Sequence, residues 1–178
     1  MTIPPTPSFS DQGQELHGSL HLLMPADLPA DAYGRQMIEA LRAAGVGITL
    51  HALPGPHPQV DASAILAADV ALTRLPDGAP VLLDGNALPN LAAGLAADSR
   101  RLHFTALVEH LTWTEPGRPA DQAAVQRSLE QGALALMRRV VVPDAATAAA
   151  VRDLGVQADR IVHAAADTSG VAVLLANL

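Results

Sequence analysis

The chain has 178 residues, 49% of them hydrophobic and only 2% aromatic, with a net charge of −7, no Cys and no Lys. That is enough for one domain with a core of Ala, Leu and Val, folding without disulfides or thiolate-held metal. The acidic balance without a basic run excludes a phosphate-tracking, nucleic-acid-binding surface.

Residues 1–18, "MTIPPTPSFSDQGQELHG", are Pro-rich and polar and read as a flexible arm. They lack the basic region and apolar core of a signal peptide. No apolar stretch approaches the roughly 20 residues of a bilayer span. The expectation is therefore a soluble cytoplasmic protein with no transmembrane segment.

From Ser19 onward, strands and helices alternate. "SLHLLM" (19–24) is a short apolar strand ended by Pro25. Asp31 is placed to cap a helix with Met37, Ile38 and Leu41 on its apolar face and Gly45 as its stop. "VGITLHAL" (46–53) is a second strand, and "PGPHP" interrupts regular structure. Residues 61–75 form a second helix with Ile65, Ala68 and Leu72 on one side.

"VLLDG" (81–85) is the third strand, followed by a helix over "ALPNLAAGLAAD" with Pro89 in its first turn. "RLHFTALV" (101–108) is the fourth strand. A long helix runs from about Pro119 to Met137 with Val125, Leu129 and Leu136 inward. "RVVV" (139–142) is the fifth strand, Asp144 caps a helix that Gly155 ends, and "RIVHA" (160–164) is a sixth short strand. Residues 168–178 are an apolar tail.

The strands are apolar throughout, which implies burial on both faces and a parallel sheet with crossover helices. The predicted fold is α/β: an open doubly wound parallel sheet of about six strands with helices on both faces, occupying residues 19–167. Ligands of such sheets bind beyond the carboxyl ends of the strands. That selects the loops "PADLPADAYG", "PGPHP", "DGNALPN", "EHLTWTEPG" and "PDAAT".

The first of these loops lacks GxGxxG and holds only Gly34, so a conventional dinucleotide cradle is excluded. Asp84 ends a strand before Gly85; it serves either as a turn former or as an acceptor for the hydroxyls of a sugar or other polyol. Glu109 and His110 follow the fourth strand. Neighbours in an extended chain point to opposite sides, so both can serve one ligand only if the chain has turned. His110 at a strand tip can act as acid, base or neutral donor. Trp113, the only Trp, is either a stacking surface for a sugar or a rim hydrophobe. His21 and His103 lie within strands as core or edge residues, and His51 and His57 flank Pro and Gly without metal-ligand spacing. No HExxH or GxSxG occurs, and no metal site is predicted.

With these residues in place, the chain resembles the N-terminal Rossmann-like domain of GT-B retaining glycosyltransferases. The resemblance runs from about Leu20 to Asp167 and rests on the order and spacing of four segments. These are "DAYGRQMIEALRAAGVGITLHALPG", "LPDGAPVLLDGNAL", "LVEHLTW" and "LEQGALALMRRVVVPDAATAAAVRDLGV". Three places depart from the family pattern. Tyr33–Gly34 stands for a Gly pair, Glu109–His110 for His-His, and Ala164–Ala166 with Asp167 for Pro-Gly-Thr-Asp.

The resemblance implies an acceptor-side domain of a nucleotide-sugar-dependent glycosyltransferase, without the donor-binding second domain and so a poor transferase alone. It implies that His110 orients the transferred sugar and that Gly34 lets the donor diphosphate approach. Asp84, Glu109 and Trp113 would contact the acceptor, and no cofactor would be tightly bound apart from a nucleotide sugar as co-substrate. The departures leave an alternative, a non-catalytic half-transferase that binds a carbohydrate or a protein. The tail over 168–178 would either pack back on the sheet or helices or pair with a second polypeptide or a second copy.

Overall fold

A computed structural model describes residues 19–178; the arm expected over residues 1–18 lies outside them. Six strands form one all-parallel sheet in the order β2-β1-β3-β4-β5-β6. They are β1 (Leu20–Pro25), β2 (Ile48–Leu53), β3 (Pro80–Asp84), β4 (His103–Leu107), β5 (Arg139–Val142) and β6 (Ile161–His163). The helices are α1 (Tyr33–Ala43), α2 (Ala62–Thr73), α3 (Leu88–Asp98), α4 (Ala120–Ala135), α5 (Ala145–Asp153) and α6 (Thr168–Leu175). The expected α/β architecture, with helices on both faces, is the one observed.

The apolar side chains of the strands divide between two cores. Leu20, Leu22 and Met24 of β1 pack with Met37, Ile38 and Leu41 of α1 and Val171 and Leu174 of α6. Leu23, on the opposite side of the same strand, joins the residues of α2 to α5 on the other face. A continuous apolar run such as "LHLLMP" is what a strand covered on both faces requires. The alternating side-chain direction then feeds both layers.

Within the segment 168–178, Thr168–Leu175 forms α6, and its buried Gly170, Val171 and Leu174 close against the α1 face. Asp167 caps this helix, accepting from the Gly170 N–H at 2.9 Å. Asp61 and Asp144 likewise cap α2 and α5. Gly45 and Gly155, with φ of +80° and +92°, end α1 and α5 in the left-handed conformation that favours glycine.

Two local expectations fail. Asp31 does not cap α1: the cap position is Ala32, which offers no side-chain hydrogen bond. On α4, Val125 points to solvent, while Gln126 and Glu130 are the buried residues of the turn. Both polar side chains have partners across the layer: the Gln126 amide donates to the Pro58 carbonyl, and Glu130 accepts from the β4–α4 loop. Satisfied hydrogen bonds let polar groups replace the apolar stripe that periodicity selects.

His21 and His51, on adjacent strands, meet with Nδ1 and Nε2 3.0 Å apart. Burial lowers the pKa of both rings, and in His51 the charge of His21 adds to it.

Candidate functional site: a cleft at the strand-order reversal

The chain passes from β1 to β2 on one side and returns to β3 on the other, so β1 and β3 flank the point where strand order reverses. In open parallel sheets this is where loops diverge and leave a crevice. A cleft of about 410 Å³ lies there. Its wall includes Pro25, Asp27, Leu28 and Asp31 from the first loop, His57 after β2, Asn86 after β3, and Glu109, His110 and Glu115 after β4.

The first loop is clamped from behind. Arg35 donates from Nε to the Leu28 carbonyl at 3.0 Å and from Nη2 to the Ala26 carbonyl at 3.2 Å. The helix that follows lacks a local cap, and Glu109 supplies one from a distance of 76 residues along the chain: its Oε2 accepts from the Tyr33 N–H at 3.1 Å. A carboxylate at a helix N-terminus is stabilised by unsatisfied N–H groups and the helix dipole. Tyr33 is buried, and its hydroxyl donates to the Ala164 carbonyl at 2.6 Å. Burial, then the charge of Glu109, raises the Tyr33 pKa.

Gly34 lies against a side chain of the same protein. A Cβ at this position would run into Oδ2 of Asp84 and come close to Leu28. The missing side chain makes room for Asp84 at the start of α1. Asp84 is only 3% exposed. Its Oδ1 accepts from the Asn86 N–H at 2.9 Å and the Asn86 Nδ2 at 3.1 Å, shaping the single helical turn Gly85–Ala87 before α3. Its pKa is pushed up to about 6. Burial is the main cause; Asn86 pulls it down, and Glu109 and His110 act in opposite senses. Turn former and buried carboxylate prove to be one and the same residue.

Glu109 and His110 both line the cleft, although they are adjacent in sequence. β4 ends at Leu107, and the chain has already bent at these residues. The Thr147 hydroxyl holds the bend by donating to the Glu109 carbonyl at 3.0 Å. Beyond it, Glu130 of α4 anchors the loop from within the core. Its carboxylate accepts from the Thr112 N–H at 2.7 Å, the Thr112 hydroxyl at 2.8 Å and the Trp113 N–H at 3.3 Å. His110 Nε2 lies 3.6 Å from Glu115 Oε1, and Glu115 is also paired with Arg118. At that distance Glu115 is an ion-pair neighbour of the ring rather than a hydrogen-bond acceptor for it.

Trp113 is not part of the cleft wall. Its ring packs against the core beside α4, with the Arg127 guanidinium 5.5 Å from the ring centroid. Conversely, His57 lines the cleft without having been singled out for it. Asn90, fully buried on α3, organises that loop: its Nδ2 donates to the Gln59 carbonyl at 2.8 Å and lies 3.2 Å from His57 Nδ1, while its Oδ1 accepts from the Asp61 N–H. An amide nitrogen only donates, so His57 Nδ1 is an acceptor and the neutral ring carries its proton on Nε2. Burial lowers the His57 pKa; backbone groups of Pro54 and Asn86 and the charge of Asp27 oppose that shift. His57 Nε2 makes no well-formed hydrogen bond with any described residue.

No protein-family model matches this chain, and no curated protein matches its sequence. What the chain does is therefore argued from the cleft. A second hollow, of about 470 Å³, lies between the 59–60 segment and α4. It is larger, but no His lines it and it is not at the strand-order reversal. No helix among the described residues is long and apolar enough to cross a membrane.

Proposed function

We propose that the chain is the acceptor-side domain of a nucleotide-sugar-dependent glycosyltransferase and that the cleft receives the hydroxyl-rich acceptor. The observation that carries this reading is the convergence of carboxylates and imidazoles from three different loops, with the Asn86 amide from a fourth, at the strand-order reversal. Carboxylates accept from sugar hydroxyls, and an imidazole can donate or accept, so a polyol satisfies such a wall without bringing charge of its own. In the transfer step, a bond forms between an acceptor oxygen and the anomeric carbon as the bond to the nucleotide diphosphate breaks. The acceptor proton leaves to a base. His110, half exposed and backed by Glu115, is the residue placed to hydrogen-bond the transferred sugar.

The electrostatics divide the labour. The charged residues of the cleft wall are carboxylates together with two imidazoles, and no Arg lines it. A donor diphosphate is repelled by such a wall, so this reading places the donor's charged half outside the cleft.

One observation favours the second reading, a non-catalytic carbohydrate-binding module. Glu109 occupies the first N–H of α1, where the family resemblance would bring the donor diphosphate. Both readings share the saccharide in the cleft.

Calorimetric titration with a panel of mono- and disaccharides tests it. His110→Ala leaves the fold intact, because His110 is exposed, and is expected to weaken saccharide binding roughly tenfold, the scale of one lost charge-assisted hydrogen bond. An unchanged affinity removes His110 from the site. Turnover of a nucleotide sugar by the chain together with a donor-binding domain distinguishes the transferase from the binding module.

A further inference from the structure

Away from the cleft, the sheet brings two imidazoles into hydrogen-bond contact: His21 of β1 and His51 of β2, neither of which lines the cleft wall. We propose that this pair is a binding site for a divalent transition-metal ion that favours imidazole, of the class of Cu(II), Ni(II) and Zn(II).

The strand register builds the pair. β1 and β2 run parallel, with His21 opposite Thr49 and Leu23 opposite His51. Side chains two residues apart on a strand share a side, so His21 falls with Leu23 and His51 with Leu53, on the face covered by α2 to α5. The rings meet diagonally, with His21 Nδ1 3.0 Å from His51 Nε2, the ring centroids 5.3 Å apart and the planes at 36°. β2 is an edge strand and both rings are half-buried, so an ion reaches them from solvent while the ladder fixes their backbones.

Two nitrogens bound to one metal ion at roughly 2.0–2.1 Å stand about 2.8 Å apart as square-planar neighbours and about 3.4 Å apart in a tetrahedron. The observed 3.0 Å lies between these values. Binding therefore asks for a rotation of the rings and no separation of the strands. In the neutral pair one facing nitrogen carries the shared proton and the other accepts it. On binding, the donor ring takes the tautomer with its proton on the far nitrogen. Both facing lone pairs then bind the ion, and the pair loses no proton. Burial lowers the pKa of both rings, which keeps them in the neutral, metal-binding form at neutral pH.

Among the described residues no group of three or more His, Asp or Glu converges. The protein thus supplies two ligands and water fills the other positions, unlike a closed structural zinc site. Two imidazoles without a carboxylate select against Mg²⁺ and Ca²⁺, and among first-row divalent ions they favour Cu(II). Ser19 and Thr49, whose hydroxyls hydrogen-bond each other two residues before the rings, offer partners for metal-bound water.

Pulsed electron paramagnetic resonance, which counts the imidazoles on a bound Cu(II) ion, tests the proposal on the full chain in neutral buffer. Cu(II) alone is the probe, added to one equivalent. Two coordinated imidazoles are expected. His21→Gln and His51→Gln each keep a hydrogen-bonding side chain on the strand. Each is expected to reduce the count to one and to weaken Cu(II) binding by roughly tenfold or more. His110→Ala, in the cleft, is expected to change neither. A second measurement needs no variant: Zn(II) is expected to shift the ring NMR signals of His21 and His51 together, ahead of the other His of the chain. A single coordinated imidazole in the parent, a count of two that survives both Gln substitutions, or Zn(II) shifts led by any other His overturns the proposal.

Discussion

Glu130→Ala is expected to lower the free energy of unfolding by about 3 to 5 kcal/mol, the upper range for a single substitution. Glu130 is 1% exposed and sits on α4, yet its three hydrogen-bond donors belong to the β4–α4 loop. Removing the carboxylate strands the Thr112 N–H and hydroxyl and the Trp113 N–H; Thr112 itself is fully buried. Each stranded buried donor costs about 1 to 3 kcal/mol, and an unfilled volume adds to it. The loss is not only one of stability, since the same loop carries His110. Glu130→Gln keeps an acceptor oxygen for Thr112 and is expected to cost far less, about 1 kcal/mol. Urea denaturation of the three proteins decides the matter. An alanine variant within 1 kcal/mol of the parent, on the same scale, would mean that the loop is held in some other way.

The second large effect is one of pH. Asp84 has its pKa raised from 3.8 to about 6, chiefly by burial. A carboxyl with a raised folded-state pKa binds its proton more tightly in the folded chain than in the unfolded one. Its contribution to stability is therefore full below the unfolded value near pH 4 and is lost as the pH rises through 6. The difference between the two values corresponds to about 3 kcal/mol. Asp84→Asn, which cannot ionise, is expected to match the parent near pH 4 and to exceed it by about 1 to 3 kcal/mol at pH 8. Thermal unfolding across that range measures the gap. A gap that does not change with pH would place the carboxylate in a better-compensated setting than its neighbours indicate. A residue that weakens the fold at neutral pH, and lies next to a cleft, fits a site where ligand binding is favoured over stability.

Much of the architecture was legible in the chain itself. Runs such as "VLLD" and "RVVV" are apolar on both sides, and only a sheet covered on both faces takes them. Asp144, Gly45 and Gly155 marked helix ends through their local chemistry. Strand order was not legible, because the pairing of β1 with both β2 and β3 depends on contacts far apart in sequence. The cleft could therefore be assigned to strand tips but not to two particular ones.

The candidate residues divide in the same way. Glu109 and His110, picked as polar residues directly after an apolar strand, line the cleft, whereas Asp84, picked on the same ground, is buried behind it. Gly34 was picked as a close approach for a ligand; in the fold, Asp84 of the same chain lies against it. Trp113 turned toward α4, because an aromatic ring gains more from burial against the core than from a place on an open rim. His57 was missed because only the folded chain brings Asn90 to its ring, 33 residues away along the chain. Glu130 and Gln126 sit where periodicity expects an apolar stripe. Their partners, the Thr112 and Trp113 donors and the Pro58 carbonyl, lie on other segments that no local pattern connects to them.

The central claim is that the ends of β1, β3 and β4 frame a ligand site. Amide chemical-shift mapping of the labelled chain, titrated with a saccharide panel, tests it most directly. The account predicts saturable shifts gathered at Asp27 to Gly34, Asp84 to Asn86, and Glu109 to Glu115, with the rest of the sheet silent. Shifts confined to the hollow beside α4, or no shift with any saccharide, would contradict it.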